Sequence, residues 1–442
     1  MSTHPLTFTV SFDNPKVDLR EPGLRYLDVS VQAAAREPSA DAEKPALPLN
    51  IALVIDRSGS MSSSCSRGER RQDGRPVSKL EMVKRATLAI LDRLTPADRF
   101  ALVTYDDEVR IDIPAGTVDD LDRAREIVQA LRPGSCTNLS GGVEAGYAQL
   151  RPALSETTLS RVFLLSDGLA NEGITDPEQL NKMARDAARE GMSLSTFGVG
   201  LDFDELLMAG MAENGRGSYA FLERASEIGP ALASEFLAAR EAVVKDARLT
   251  LTLDASVGIQ RVFANLFERE GGVVRVSLGD MAAGEVRRAL LRLEMPKLLS
   301  GTQVLGTAAL RARLAAESGV ELGESRELSV EYGAFSEAEL EASLNPEIVE
   351  RAAVFEARYA RYDAAQARDE GRFDDARRMM GASMASMRAM PRRYRDSAAL
   401  RQEMAESREY AGFMACEAPD PDEVLRMQKR VRARRQNLKK GE

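Results

Sequence analysis

In "IALVIDRSGSMSSS" (51–64) an aliphatic run ends at Asp56, and Ser58 and Ser60 follow at alternate positions. A second carboxylate, Asp167, closes the run "RVFLLS" within "FLLSDGLANEG". Between them in sequence, "RPGSCTNLSGG" (132–142) opens a helical stretch and carries Thr137 near its tip. Two carboxylates and three hydroxyls are hard oxygen donors of low total charge. Such a set suits Mg²⁺, with Mn²⁺ or Ca²⁺ as the other hard cations it would accept, rather than zinc or copper. Two carboxylates against a divalent ion leave a nearly neutral site with room for an acidic ligand from outside. Asp, Ser and Gly are also ordinary turn formers at a strand end, and Asp167-Gly168 alone carries little weight.

The positions of these residues imply their scaffold. From 51 to about 240, the short aliphatic runs "IALVID", "RFALVTY" (99–105), "RVFLLS" (161–166) and "SLSTFGV" (193–199) alternate with helical stretches such as "SKLEMVKRATLAILDRL" and "DPEQLNKMARDAARE". Near-continuous apolar strands alternating with helices predict an α/β domain built on a doubly wound, mostly parallel sheet covered on both faces. "EVRIDI" (108–113), a short turn after "RFALVTY", predicts an antiparallel edge strand. Asp56 and Asp167 then fall at the carboxyl ends of strands, where such sheets open their sites.

The flanks have a different rhythm. "LTFTVSF" (6–12) and "LRYLDVSVQA" (24–33) alternate apolar and polar residues, and so do "ARLTLTLDA" (247–255), "GVVRVSL" (272–278), "VRRALLRLEM" (286–295), "TQVLGTAALRARL" (302–314) and "RELSVEY" (326–332). Two N-terminal strands do not make a stable unit alone. The expectation is a discontinuous β-sandwich, its first part at 1–48 and its remainder at 243–335, with the α/β domain at 49–242 inserted between. From 336 to 442 the strands stop and a helical region follows, with "DEGRFDDA" (369–376) as the turn of a helical hairpin. Met379, Met380, Met384, Met387 and Met390 at helical spacing read as core before they read as an adaptable binding face.

Composition narrows the function. The 442 residues are 44% hydrophobic and 29% charged, as in globular proteins, and predict two to three domains. With a single His, the base of a Ser-His-Asp or Cys-His mechanism would have to be His4, near the N-terminus, which argues against such a mechanism. Cys65, Cys136 and Cys416 form no C-x-x-C pair for zinc. There is no G-x-x-x-x-G-K-[ST], and "FGVGLDF" (197–203) lacks the third Gly of a dinucleotide fingerprint. The N-terminus shows no signal-peptide pattern and no apolar run spans a bilayer, so a cytoplasmic protein is expected. The net charge of −9 disfavours general nucleic-acid binding.

On these residues, 51 to about 240 resembles a von Willebrand factor type A (VWA) domain, with its Rossmann-like sheet. Asp56, Ser58 and Ser60 match the family's D-x-S-x-S signature, and Thr137 and Asp167 match the two later positions of its metal-ion-dependent adhesion site (MIDAS). The resemblance implies that Ser58, Ser60 and Thr137 face a metal ion, that the two Asp act often through water, and that a partner's Asp or Glu takes the sixth position. The flanks and tail resemble bacterial intracellular VWA proteins with a β-sandwich around the module. A non-enzymatic adaptor or scaffold is implied, with an AAA+ ATPase of the MoxR or chelatase kind as one partner. The alternative is a structural subunit whose metal only stabilises the fold. A Mg²⁺-dependent phosphatase of the haloacid dehalogenase class also places an Asp after its first strand, but requires a second Asp where this chain has Ser58.

Three accessory features remain. "SSSCSRGERRQDGRPVSK" (62–79) reads as a surface insertion, or as a basic segment leaning toward an acidic ligand through Arg67, Arg70, Arg71 and Arg75. Cys136, beside Thr137, reads as a small packed residue. The C-terminal stretch 426–440 carries eight basic residues, suited to an acidic partner, nucleic acid or anionic lipid, or else a solvated helix end.

Overall fold

The structure, a computed structural model, describes residues 5–35, 47–64, 77–264, 267–315, 320–415 and 421–437. It opens with β1 (Leu6–Phe12), the short β2 (Lys16–Asp18) and β3 (Leu24–Ala33). In β1 the buried residues Leu6, Phe8 and Phe12 alternate with exposed Thr7, Thr9 and Ser11, the two-residue period of a half-buried strand.

The α/β unit then runs β4 (Leu49–Asp56), α1 (Lys79–Leu91), β5 (Arg99–Tyr105), β6 (Val109–Gly116), α2 (Leu121–Ala130), α3 (Leu139–Leu150), β7 (Leu159–Ser166), α4 (Pro177–Glu190), β8 (Met192–Val199), α5 (Glu205–Asn214), β9 (Arg216–Leu222) and α6 (Ile228–Arg240). Its sheet has the order β6-β5-β4-β7-β8-β9, parallel except for the β5–β6 hairpin. Every residue of β4, β7 and β8 is buried, because helices cover both faces. Ile51, Leu53 and Ile55 of β4 pack with α1, α2 and α6, while Ala52 and Val54 pack with α3, α4 and α5. The strand order reverses at β4, so a crevice opens beyond its carboxyl end.

The chain continues through β10 (Ala242–Leu253), β11 (Gly258–Phe263), β12 (Phe267–Glu270), β13 (Val273–Ala282), β14 (Val286–Glu294), β15 (Gly301–Leu314) and β16 (Glu321–Gly333). These strands combine with the first three into two sheets, ordered β1-β3-β14-β11 and β12-β13-β10-β15-β16-β2. Thus β3 pairs with β14, and β2 with β16, across the whole α/β unit. Phe8, Val29 and Leu291 of one sheet and Leu249, Val274 and Val330 of the other share one buried core. Arg161 of β7 pairs with Asp280 of β13 at 3.3 Å, tying the two bodies together.

Six helices follow: α7 (Glu337–Ala342), α8 (Pro346–Asp369), α9 (Phe373–Ala389), α10 (Arg392–Arg395), α11 (Ala398–Ala415) and α12 (Pro421–Asn437). The α8–α9 turn uses Gly371 at φ +77°, the left-handed conformation in which glycine avoids a Cβ clash. Phe355 and Tyr359 of α8 pack on Phe263 and Leu290 of the first sheet. Met380 and Met387 are buried between the helices, with Met379, Met384 and Met390 packed against the same clusters. Of the basic residues described in the C-terminal stretch, Lys429 of α12 is buried, while Arg430 is exposed and pairs with Glu223 at 2.8 Å. Residues 438–440 lie outside the described residues, as do His4, Cys65, Cys416 and residues 65–76 of the insertion. Among the described residues, no helix is long and apolar enough to cross a membrane.

Candidate functional site

The crevice above β4 is assembled by backbone hydrogen bonds between three loops. Gly134 donates to the carbonyl of Arg57 at 2.6 Å, Gly59 to that of Ser135 at 3.1 Å, and Asn138 to that of Asp106 at 2.8 Å. Gly134 has to be glycine: a Cβ there would lie 1.7 Å from the Asp106 carboxylate. Asp106 in turn pairs with the buried Arg57 at 2.8 Å. The Asn138 side chain caps α3 by accepting from Gly141 N–H at 2.9 Å, which fixes where that helix begins beside Thr137.

This framework brings all five candidate residues together. Asp56 and Asp167 are fully buried, Ser58 and Thr137 nearly so, and Ser60 is exposed at the mouth. Ser58 and Ser60 place their hydroxyl oxygens 3.0 Å apart, and Ser60 donates to Asp167 Oδ1 at 2.7 Å. Asp56 accepts from Ser58 N–H at 2.8 Å through Oδ1 and from the Ser166 hydroxyl at 2.7 Å through Oδ2. Burial pushes the Asp56 carboxyl up to about 6, against the pull of the hydrogen bonds from Ser58 and Ser166. The same burial, beside Asp56, holds the Tyr105 hydroxyl well above its ordinary range.

Gly168 defines the space between the hydroxyls. A carbon added to its Cα would stand 3.4 Å from Thr137 Oγ1, 3.8 Å from Ser60 Oγ and 4.0 Å from Ser58 Oγ. Three neutral oxygens from two loops therefore line one cradle that any side chain at 168 would fill. The oxygens of both carboxylates already accept hydrogen bonds beneath it. This donor set fits a hard cation held directly by the hydroxyls, with the carboxylates acting from behind. Among the described residues no group of three or more His, Cys, Asp or Glu is placed to hold a metal ion, so this site differs from such clusters in relying on hydroxyls.

Several residues of the site escape motif reading. Lys79, the first residue of α1, is 3% exposed and donates to Asp167 Oδ2 at 2.7 Å. Its only sequence signal is its place at the end of the insertion. Ser166 and Asn171 are signalled by nothing more than proximity to Asp167; Asn171 Oδ1 accepts from Thr137 N–H at 2.9 Å. Cys136, expected to be packed, is instead exposed, because the loop turns its side chain outward from the backbone contacts on either side.

Comparison with known proteins agrees with this architecture. Residues 50–230 match the model of the von Willebrand factor type A domain. An uncharacterized protein of Synechocystis sp. is 28% identical over 297 residues, 65% of this chain and 66% of its own. An uncharacterized protein of Escherichia coli is 29% identical over 200 residues, 45% of this chain and 32% of its own. A human inter-alpha-trypsin inhibitor heavy chain is 29% identical over 181 residues, 39% of this chain and 19% of its own. The chain thus spans less than two thirds of the length of each of these relatives. Among solved structures, a von Willebrand factor type A protein from Catenulispora acidiphila superposes with a TM-score of 0.69 at 16% identity, covering 99% of this chain and 98% of that one. The ArnB paralog VWA2 from Sulfolobus acidocaldarius does so with a TM-score of 0.59 at 11% identity, covering 99% of each. At these identities the structures establish a shared fold. Residues 50–230 of this chain are a von Willebrand factor type A domain.

Proposed function

We propose that the domain is a non-catalytic, Mg²⁺-dependent protein-binding module. Ser58, Ser60 and Thr137 would hold the ion, Asp56 and Asp167 would support it from the buried side, and a partner's Asp or Glu would complete its coordination. The observation that carries this reading is the cradle of three hydroxyls around Gly168, set above two fully buried carboxylates. When bound, the ion supplies a fixed positive centre for a carboxylate; the chain supplies its position. Leu169, 57% exposed directly beside the site, offers an apolar contact next to the charged one.

A purely structural metal is less consistent with the geometry. Asp167 already has Lys79 and Ser60 as partners, and Asp56 has Ser58 and Ser166, so neither carboxylate depends on an ion for its hydrogen bonds. The two-sheet body is read as a β-sandwich scaffold and the helical region as a second contact surface. An AAA+ ATPase of the MoxR or chelatase kind is the partner class that the family likeness suggests.

The test compares wild type with Thr137→Ala. Mn²⁺ binding is followed by the spectrum of the free ion, and partner capture is run with Mg²⁺ and with chelator. The reading expects Thr137→Ala to keep its thermal unfolding transition while losing both Mn²⁺ binding and every partner that chelator releases. Capture that is indifferent to chelator and to Thr137→Ala would refute it.

A further inference from the structure

Asp167 serves two sides at once. Its Oδ1 accepts from Ser60, which belongs to the hydroxyl cradle, and its Oδ2 accepts from the buried ammonium of Lys79 at 2.7 Å. Lys79 is held there by its backbone as well. It starts α1 directly after the N-cap Ser78, and its N–H donates to the carbonyl of Ser63, one turn beyond the cradle, at 3.0 Å. Opposite it, Gly200 adopts φ +79°, and a Cβ at 200 would come within 2.9 Å of the Lys79 nitrogen. The end of β8 is thus shaped to admit this ammonium.

Among the described residues, the other charges near Lys79 do not cancel it. Asp202 lies 3.9 Å away with its side chain 77% exposed, where solvent screens it. Arg57 and Asp106 neutralise each other. With Lys79 counted, the two buried carboxylates give the site one net negative charge before metal is added, and a divalent ion would bring it to one net positive charge. Without Lys79 the loaded site would be neutral.

We propose that Lys79 is a resident counter-charge that sets the specificity of this site, weakening its hold on the bare divalent ion and leaving the loaded site cationic and therefore selective for an anionic, carboxylate-bearing ligand. This rests on the metal reading given above. The physical basis is that a buried like charge on a shared carboxylate repels the ion, and the same charge attracts the ligand's anion, in surroundings that screen little.

The experiment titrates Mn²⁺ into the full chain as wild type, Lys79→Met and Lys79→Arg, reading the free-ion spectrum, and then titrates acetate into each Mn²⁺-loaded protein, reading water-proton relaxation. The expected result is that Lys79→Met binds Mn²⁺ about tenfold or more tightly than wild type, while its loaded form binds acetate more weakly; Lys79→Arg, which keeps the charge, stays near wild type in Mn²⁺ affinity. Equal or weaker Mn²⁺ binding by Lys79→Met overturns the proposal and leaves the metal reading standing. A wild type that binds no Mn²⁺ overturns both. Should Lys79→Met be unfolded without metal, because Asp167 is left buried and unpaired, saturating Mn²⁺ is expected to restore its unfolding transition, and failure to do so refutes the proposal.

Discussion

Lys429 of α12 sets its ammonium 2.9 Å from the main-chain carbonyl of Phe203 and 3.4 Å from the centre of that residue's ring. Phe203 stands in the loop after β8, three residues beyond the Gly200 that faces Lys79. The C-terminal basic stretch is therefore engaged in part by the chain's own α/β unit, with Arg430 and Arg426 both reaching Glu223. Lys429→Met keeps the length of the side chain and removes the buried donor. Losing a charged hydrogen bond of this kind costs about 1–3 kcal/mol. Amide exchange should accelerate across Pro421–Asn437 while the β4 amides keep their protection. Unchanged exchange in α12 would show that the helix is held by its other contacts, with α8 and with Glu223.

Gly168→Ala isolates the cradle from the rest of the fold. The new methyl would meet Thr137 Oγ1 at 3.4 Å, an ordinary van der Waals contact, so the folded chain tolerates it. It would nevertheless occupy the space between the three hydroxyls. The expected outcome is an unfolding transition within about 0.5 kcal/mol of wild type together with Mn²⁺ binding weakened at least about tenfold, since an ion tolerates little displacement of its ligands. Full Mn²⁺ affinity in this variant would place the ion elsewhere.

How much of this is legible in sequence depends on whether an element is buried on both faces. β4 and β7 are, so they read as unbroken aliphatic runs, and Asp56 and Asp167 stand out at their ends. β9 is a sheet edge with only Tyr219 and Leu222 buried, and its pattern predicts no strand. Its Gly217, a strand breaker by composition, is required because a Cβ would lie 2.0 Å from the Leu194 carbonyl. Lys79 is illegible for another reason. A lysine in the first turn of a helix reads as solvated, and its burial follows from Asp167, 88 residues further on. Long-range electrostatic pairs of this kind leave no local period to detect.

The helical region holds a buried ionic cluster that should control its stability. Arg361, 3% exposed, pairs with Glu403, 1% exposed, and donates to the Ser407 hydroxyl at 3.0 Å, while Arg358 reaches the other oxygen of Glu403. Arg361→Met leaves the buried Glu403 with Arg358 as its remaining cationic partner, so it should cost up to about 3–5 kcal/mol, the value for a fully stranded buried charge. Adding Glu403→Gln should recover a measurable part of that loss. Urea unfolding of the single and double variants checks this; a double variant no more stable than the single would mean that packing, not charge, carries the effect.

Asp13 provides a pH dependence outside the candidate site. Half-buried between β1 and β2, it accepts from Tyr26 N–H at 2.9 Å, and burial pushes its carboxyl from 3.8 up to about 6 despite that hydrogen bond and the nearby Arg25. In the unfolded chain the group releases its proton near the ordinary value, so between about pH 4 and pH 6 the folded state binds more protons than the unfolded one. The contribution of Asp13 to stability is therefore complete below about pH 4 and is lost as pH rises through about 6, a change of about 2–3 kcal/mol. Asp13→Asn keeps an oxygen for Tyr26 N–H and removes the charge. It should be more stable than wild type at about pH 7–8 by that amount, with the gain shrinking toward zero near pH 4. Urea midpoints measured across this range decide the matter: an advantage that is the same at both ends, or absent at pH ~8, would mean that the native Asp13 carboxylate is not penalised by its surroundings.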